Sequence, residues 1–182
     1  MAGSIAVETS SDDDFVGFVL GYNSGELGSS SADFWLIDWK QNDQYPGVDG
    51  LALSHVTGDV GTAAENDFWQ HQNTVTEVER AANLGSTGWA DHTTYGFELI
   101  FTSTLIEVKV GGVTEISYTS AENGGNAFND GSFGFYNYSQ SNVRYAGITE
   151  DQLPGVIPLP ASLPLLLAGF GALGLARRRR KS

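Results

Sequence analysis

The stretch from Leu105 to Thr119, LIEVKVGGVTEISYT, leaves the chain little choice of local structure. Two alternating runs flank Gly111-Gly112, and a pair of residues free to take positive φ between such runs marks a two-residue β-hairpin. On the first run Ile106, Val108 and Val110 share one face, while Glu107 and Lys109 share the other. Other segments extend the same pattern. Phe15 to Tyr22 (FVGFVLGY) and Asp33 to Lys40 (DFWLIDWK) are short apolar runs fit for buried strands, and Leu51 to Val56 alternates. Further strands are expected over Gly3 to Thr9, from about Thr93, over Ser132 to Tyr138 with Phe133, Phe135 and Asn137 on one side, and over Val143 to Ile148. Asn66 to Gln72 reads as a helical turn or a loop, and Leu84 to Asp91 as a glycine-rich link. With 23 glycines and long helical periodicity missing from the body, these segments predict an all-β domain with many turns.

The C-terminal stretch obeys a different rule. From Ile157 the chain reads IPLPASLPLLLAGFGALGLARRRRKS. Residues 157–176 carry no charge and would run roughly 30 Å as a helix, about one hydrocarbon core. Arg177, Arg178, Arg179, Arg180 and Lys181 follow at once, where positive charge stops translocation and stays on the cytoplasmic side. The body is therefore expected outside. GFGALG matches the dinucleotide fingerprint G-x-G-x-x-G, but only eight residues follow it, so no βαβ unit can form. Its glycines suit close approach of another membrane helix instead. A plain C-terminal anchor stays open as an alternative. An exported chain should begin with basic and apolar segments that MAGSIAVETSSDDDF lacks, so a signal peptide and further strands are expected upstream of Met1.

Charge and cysteine content narrow the function. The formal net charge is −13, and five of the nine basic residues lie in the tail, leaving four bases against 22 acids. Such a body repels nucleic acid. No cysteine is present, which removes disulfides, a thiol nucleophile and thiolate metal sites. His55, His71 and His92 are irregularly spaced and no H-E-x-x-H occurs, so zinc is not indicated.

Two resemblances give these segments a context. Val156-Ile157-Pro158-Leu159-Pro160-Ala161, followed by the apolar run and the basic end, resembles the PEP-CTERM class of bacterial sorting signals in its VPLPA variant. The resemblance implies a substrate of an exosortase, a membrane-embedded thiol protease that cleaves near the motif and delivers the protein to the cell surface. Pro158, Pro160 and Pro164 suit that role, because prolines bias their predecessors to extended geometry that a protease cleft can grip. In the body, SSDDDFVGFVLGYNS, FWLIDWKQ, LALSHVTG, FWQHQNT, VERAANLGSTGWADHTTYGFEL, IEVKVGG and DGSFGFYNYSQSNVRYAGI occur in the order found in thrombospondin C-terminal domains, to which residues 3–149 are similar. That resemblance implies a two-sheet antiparallel jelly-roll sandwich of the L-type lectin kind. The organisation expected is a sandwich at 1–149, truncated at its start, a linker at 150–156, and a sorting tail at 157–182. Within the tail the motif is 157–161, the transmembrane segment 162–176 and the basic end 177–181.

Asp12, Asp13 and Asp14 are the sharpest chemical cluster. Three adjacent carboxylates repel one another unless water or a hard cation screens them, and Ca²⁺ accepts oxygens in loose geometry. Strand alternation would put Asp12 and Asp14 on one face and Asp13 on the other. Asp33, Asp38 and Asp130 are further candidate donors, and the resemblance itself implies calcium. Trp35 and Trp39 lie in apolar strands and read as core, whereas Trp69 and Trp89 lie in turn-rich segments and could stack on a sugar ring. A glycoside hydrolase needs two carboxylates about 5–9.5 Å apart across the scissile bond. The nearest match, Glu77 and Glu79 in TEVER, lacks the third acid of the laminarinase-type strand motif. The chain thus reads as a non-enzymatic, exported surface or matrix protein acting in adhesion or matrix assembly, with an exosortase and a matrix polysaccharide or surface protein as partners. A calcium-dependent carbohydrate-binding module is the first alternative, and a hydrolase the second.

Overall fold

Period-two alternation at the hairpin and the apolar runs elsewhere resolve into two antiparallel sheets in a computed structural model, which describes residues 1–62 and 65–150. The sorting motif Ile157 to Ala161, the apolar segment 162–176, the basic residues Arg177 to Lys181 and the linker beyond Glu150 lie outside the described residues. Among the described residues no helix is long and apolar enough to cross a membrane.

In chain order the strands are β1 (Ala2–Val7), β2 (Phe15–Tyr22), β3 (Ala32–Lys40), β4 (Gly50–Gly58), β5 (Val75–Arg80), β6 (Thr94–Phe101), β7 (Leu105–Val110), β8 (Val113–Thr119), β9 (Ser132–Tyr138) and β10 (Val143–Thr149), with a short helix α1 (Glu65–Gln70) between β4 and β5. The first sheet runs β10-β1-β6-β7-β8, the second β5-β4-β3-β2-β9. The hairpin forms as its sequence requires. Gly111 and Gly112 take φ of 58° and 81°, and β7 and β8 pair from Val110↔Val113 outward.

The core lies between the sheets. Ile5 and Val7 of β1, Phe97 and Leu99 of β6, and Ile106 and Val108 of β7 face Val16, Phe18 and Leu20 of β2, Trp35, Ile37 and Trp39 of β3, and Leu51 and Leu53 of β4. Trp35 and Trp39 are core residues, as their strand predicts. Glu107 and Lys109 form an ion pair at 3.2 Å on the outer face of β7. A second apolar cluster covers the outer face of the second sheet, where Phe34, Leu36, Val56 and Val75 pack under Phe68 of α1 and Tyr136 of β9.

Two local features add to the sequence reading. Asn66 to Gln72 is helical only to Gln70, and the chain then turns through positive φ at His71 (48°) and Asn73 (54°). β5 is a strand that polar residues conceal in the sequence. A register shift opposite Leu53/Ser54 leaves Val78 as an extra residue, so Glu79 pairs with Leu53 and Glu77 with Ser54.

Candidate functional site

Leaving the first sheet after β1, the chain crosses to β2 through residues 8–14, and this crossing carries the three aspartates. The segment is not strand, so alternation does not apply and Asp13 is not set opposite its neighbours. A carboxylate oxygen from each of Asp12, Asp13 and Asp14 lies within 4.8 Å of the others. Asp14 is buried, and Asp12 and Asp13 are half-buried.

Surrounding groups hold the turn. The Asp13 amide donates to Asp12 Oδ1 at 3.2 Å and the Asp14 amide to Gln140 Oε1 at 2.9 Å. Asn42 Nδ2 donates to Asp13 Oδ2 at 3.3 Å, and Trp89 Nε1 donates to the Asp14 carbonyl at 3.2 Å. The decisive partner is Lys40, whose side chain is fully buried. Pairing of Phe15 with Lys40 across β2 and β3 brings it beside the turn. Its ammonium donates to the Asp13 carbonyl (3.0 Å), Gln44 Oε1 (2.9 Å) and Asp14 Oδ1 (3.3 Å), with Asp13 Oδ1 at 3.7 Å. The rings of Trp69 (4.6 Å) and Phe15 (5.4 Å) cover it.

One ammonium against three carboxylates leaves two negative charges. Burial, and then repulsion from Asp14, push the Asp12 carboxyl above the usual range. Hard oxygen donors with a residual charge of two suit a hard divalent cation, and Asp12, Asp13 and Asp14 are the residues that would hold calcium here. Among the described residues they form the one compact group of potential metal ligands.

The other candidate donors go elsewhere. Asp33 accepts from His55 Nε2 at 2.7 Å and from Asn129. Asp38 is buried against His71, and Asp130 accepts from the Gly131 amide at 2.9 Å. Of the two tryptophans singled out for stacking, Trp89 is buried and Trp69 is half-buried. Trp89 is only 3 % exposed and belongs to the core, and Trp69 packs between Gly47, Phe15 and the Lys40 ammonium. Strand alternation would set Glu77 and Glu79 side by side, but the bulge at Val78 separates them. Glu77 bonds His71 and Arg80, while Glu79 accepts from the Ser117 amide of the first sheet.

A polar centre that the sequence does not signal sits on the same covered face. His71 Nε2 meets Asp38 Oδ2 at 2.9 Å, and Nδ1 meets Glu77 Oε2 at 3.3 Å. Burial alone would lower the imidazole pKa, but the charge of Asp38 and hydrogen bonds to both carboxylates raise it to about 10. With both ring nitrogens facing carboxylate oxygens, which only accept, the geometry is that of an imidazolium donating to each. His71 follows α1 at a positive φ of 48°, and no local motif announces its inward position.

A profile of the thrombospondin C-terminal region matches residues 1–151, which include both sheets and the aspartate turn. The chain belongs to the thrombospondin C-terminal region family. Thrombospondin-2 of Gallus gallus is 29 % identical over 162 residues, covering 81 % of this chain and 13 % of that protein. Cartilage oligomeric matrix protein of Rattus norvegicus is 27 % identical over 161 residues, covering 80 % and 20 %. Thrombospondin-3b of Danio rerio is 31 % identical over 110 residues, covering 53 % and 11 %. This thrombospondin C-terminal domain thus spans a fifth or less of these relatives. Among solved structures it is similar to CG-16, a homodimeric agglutinin from chicken liver, with TM-score 0.41, 13 % identity, and coverage of 80 % of this chain and 89 % of that one. A PEP-CTERM protein-sorting motif matches residues 156–181, downstream of the domain.

Proposed function

We propose that this chain is an exported, non-enzymatic surface or extracellular-matrix protein, a thrombospondin C-terminal domain delivered by its sorting tail and working in adhesion or matrix assembly. The observation that carries the reading is the pairing of the two matches on one polypeptide, the domain at 1–151 and the sorting motif at 156–181. Residues 162–176 would hold the tail in the membrane, Arg177 to Lys181 would keep its end inside, and an exosortase would cut near Ile157 to Ala161. The acidic domain would then be delivered outside to a matrix polysaccharide or surface protein. Mass spectrometry of the mature protein from its native host tests this. The expected C-terminus falls near Ile157 to Ala161, and an intact Ser182 on all mature protein overturns processing.

Calcium belongs to the same reading. Bound by Asp12, Asp13 and Asp14, it would supply the positive charge that Lys40 does not, and tie the crossing between the sheets. At a hundredfold excess over its dissociation constant a ligand stabilises by about 2.7 kcal/mol, which raises the melting temperature of a domain this size by roughly 5–10 °C. A calcium-dependent rise of that order, absent from the Asp12→Asn, Asp13→Asn, Asp14→Asn triple variant, is expected. Identical melting in calcium and in chelator would remove the cation from the account.

A further inference from the structure

At the far end of β3 from the aspartate turn the inner face of the second sheet changes character. Trp39, Ile37 and Trp35 succeed one another inside the core, and the next inward position is Asp33. On β4, Leu51 and Leu53 are followed by His55. Seven residue steps separate Lys40 from Asp33, about 23 Å along the strand. Here the space between the sheets opens into a pocket of about 410 Å³, lined by Asp33, Trp35 and His55 and by Asn123, Asn126 and Asn129 of the loop between β8 and β9. That volume lies within the range of small-molecule sites, about 300–1,000 Å³.

The pocket is organised before any occupant arrives. His55 lies flat on Trp35, with ring centroids 4.1 Å apart and planes within 5°, and Trp35 is buried while His55 is partly exposed. Asp33 is fixed by two donors, His55 Nε2 at 2.7 Å and Asn129 Nδ2. The loop is pinned by Phe128, whose ring meets Trp35 edge-on at 5.1 Å and whose amide donates to the Ser103 carbonyl at 3.0 Å. Asn123 Nδ2 donates to the Asn126 carbonyl at 3.2 Å, and Asn126 Nδ2 to the Asn123 carbonyl at 3.0 Å. One N–H of each side-chain amide is thus engaged, one is left over, and both side-chain oxygens remain to accept. Each Asp33 oxygen also keeps a lone pair beyond its present donor.

We infer that this pocket binds a neutral saccharide, one pyranose unit of a larger glycan resting against the His55 ring with its hydroxyls on Asp33, Asn123 and Asn126. The lining selects this class. Surplus acceptors call for an occupant that donates several hydrogen bonds, and a ring stacked on a second ring offers a flat face to C–H groups. No lysine or arginine lines the pocket and the chain is strongly acidic, so sulfated or uronate glycans are repelled. Asp33 is the one carboxylate present and is already bonded to His55 and Asn129, which disfavours a metal ion.

The inference does not rest on calcium or on processing of the tail, and its test keeps them apart. The full chain is applied to an array of neutral glucose, galactose and mannose oligosaccharides beside uronate and sulfated ones, in chelator. Asp33→Ala and Asn126→Ala are compared with the unchanged protein after thermal melts. Binding to at least one neutral series is expected, falling roughly tenfold or more in Asp33→Ala, which loses a hydrogen bond to a charged group, and roughly threefold to tenfold in Asn126→Ala, which loses a neutral one. Asn126 lies at an exposed loop position, so its variant reports on the pocket even if Asp33→Ala unfolds. The inference is overturned by binding to anionic glycans alone, by binding only when calcium is added, by retention of binding in a folded Asn126→Ala variant, or by no binding at all.

Discussion

The two sheets use the same pairing and solve different problems. In the first sheet β6 and β7 alternate buried and open positions, and the outward Glu98, Glu107 and Lys109 meet solvent. In the second, β2, β3 and β4 are buried at nearly every position, because α1 and its flanking loops cover the outer face. Charge on an open face costs little, but charge on a covered face must be paired or it destabilises the fold. The second sheet nevertheless keeps Asp38 and Lys40 there, each built into a network that reaches the loops. Of the four buried side-chain atoms without a partner among the described residues, Asp38 Oδ1, Ser54 Oγ and Tyr136 Oη belong to this sheet's outer face. The covered face is where the domain departs from plain packing, and the aspartate turn is its margin.

Lysine replacements on the two sheets should break or confirm this contrast most sharply. Lys40→Met leaves Asp13 and Asp14 facing each other without their ammonium, and breaking a buried pair costs about 3–5 kcal/mol. Lys109→Met removes a partly exposed partner of Glu107 and should change stability by less than about 1 kcal/mol. Urea titrations in chelator, with external cation excluded, measure both. Equal losses would show that the covering of the second sheet does not govern its charges.

The imidazolium on the covered face gives the next effect a pH signature. The folded pKa of His71, about 10, lies above its ordinary 6.5, so the stabilisation it brings is full below about pH 6.5. It is lost as pH rises from there through about 10. A decline on the order of a few kcal/mol is expected across that window. His71→Gln should start lower and stay flatter over the same range. A parallel slope in the variant would assign the decline to other groups.

What the sequence tells follows the same division. Where one face is open, period two shows in the letters, and the hairpin at Gly111-Gly112 is legible. Where both faces are covered, alternation disappears, and FVGFVLGY or DFWLIDWK indicates a buried strand without saying what lies over it. The aspartates are visible as a run. Lys40 is not visible as their partner, since only the pairing of β2 with β3 joins residues 26 positions apart. Trp89 sits among glycines and polar residues and still packs in the core, because the exposure of a loop residue is decided by the strands beneath it. β5 hides because four of its six residues are polar, Thr76, Glu77, Glu79 and Arg80, as suits a sheet edge. The pocket beyond Asp33 needs two strands and a loop more than 60 residues away, a juxtaposition that no window of sequence contains.

The smallest effect tests how the two sheets are joined. Tyr145 belongs to β10 of the first sheet, yet its hydroxyl lies between β2 and β9 of the second. Its single O–H has three acceptors in reach, the carbonyls of Gly17 (3.0 Å) and Tyr136 (2.9 Å) and Asn137 Oδ1 (3.0 Å), and its oxygen accepts from the Gly17 amide at 3.2 Å. Burial holds the phenol well above its ordinary pKa, so it stays neutral and able to donate. Gly17 has no room for change, because a Cβ there would lie 1.9 Å from the Ile37 carbonyl oxygen. Tyr145→Phe keeps the ring against Phe18 and Phe135 and removes only the hydroxyl. A loss of about 1 kcal/mol is expected, with faster hydrogen exchange at the Gly17 amide and little change at Lys109 on the other sheet. Unchanged protection at Gly17 would mean that apolar packing alone couples the sheets, and that the hydroxyl merely occupies the gap between β2 and β9.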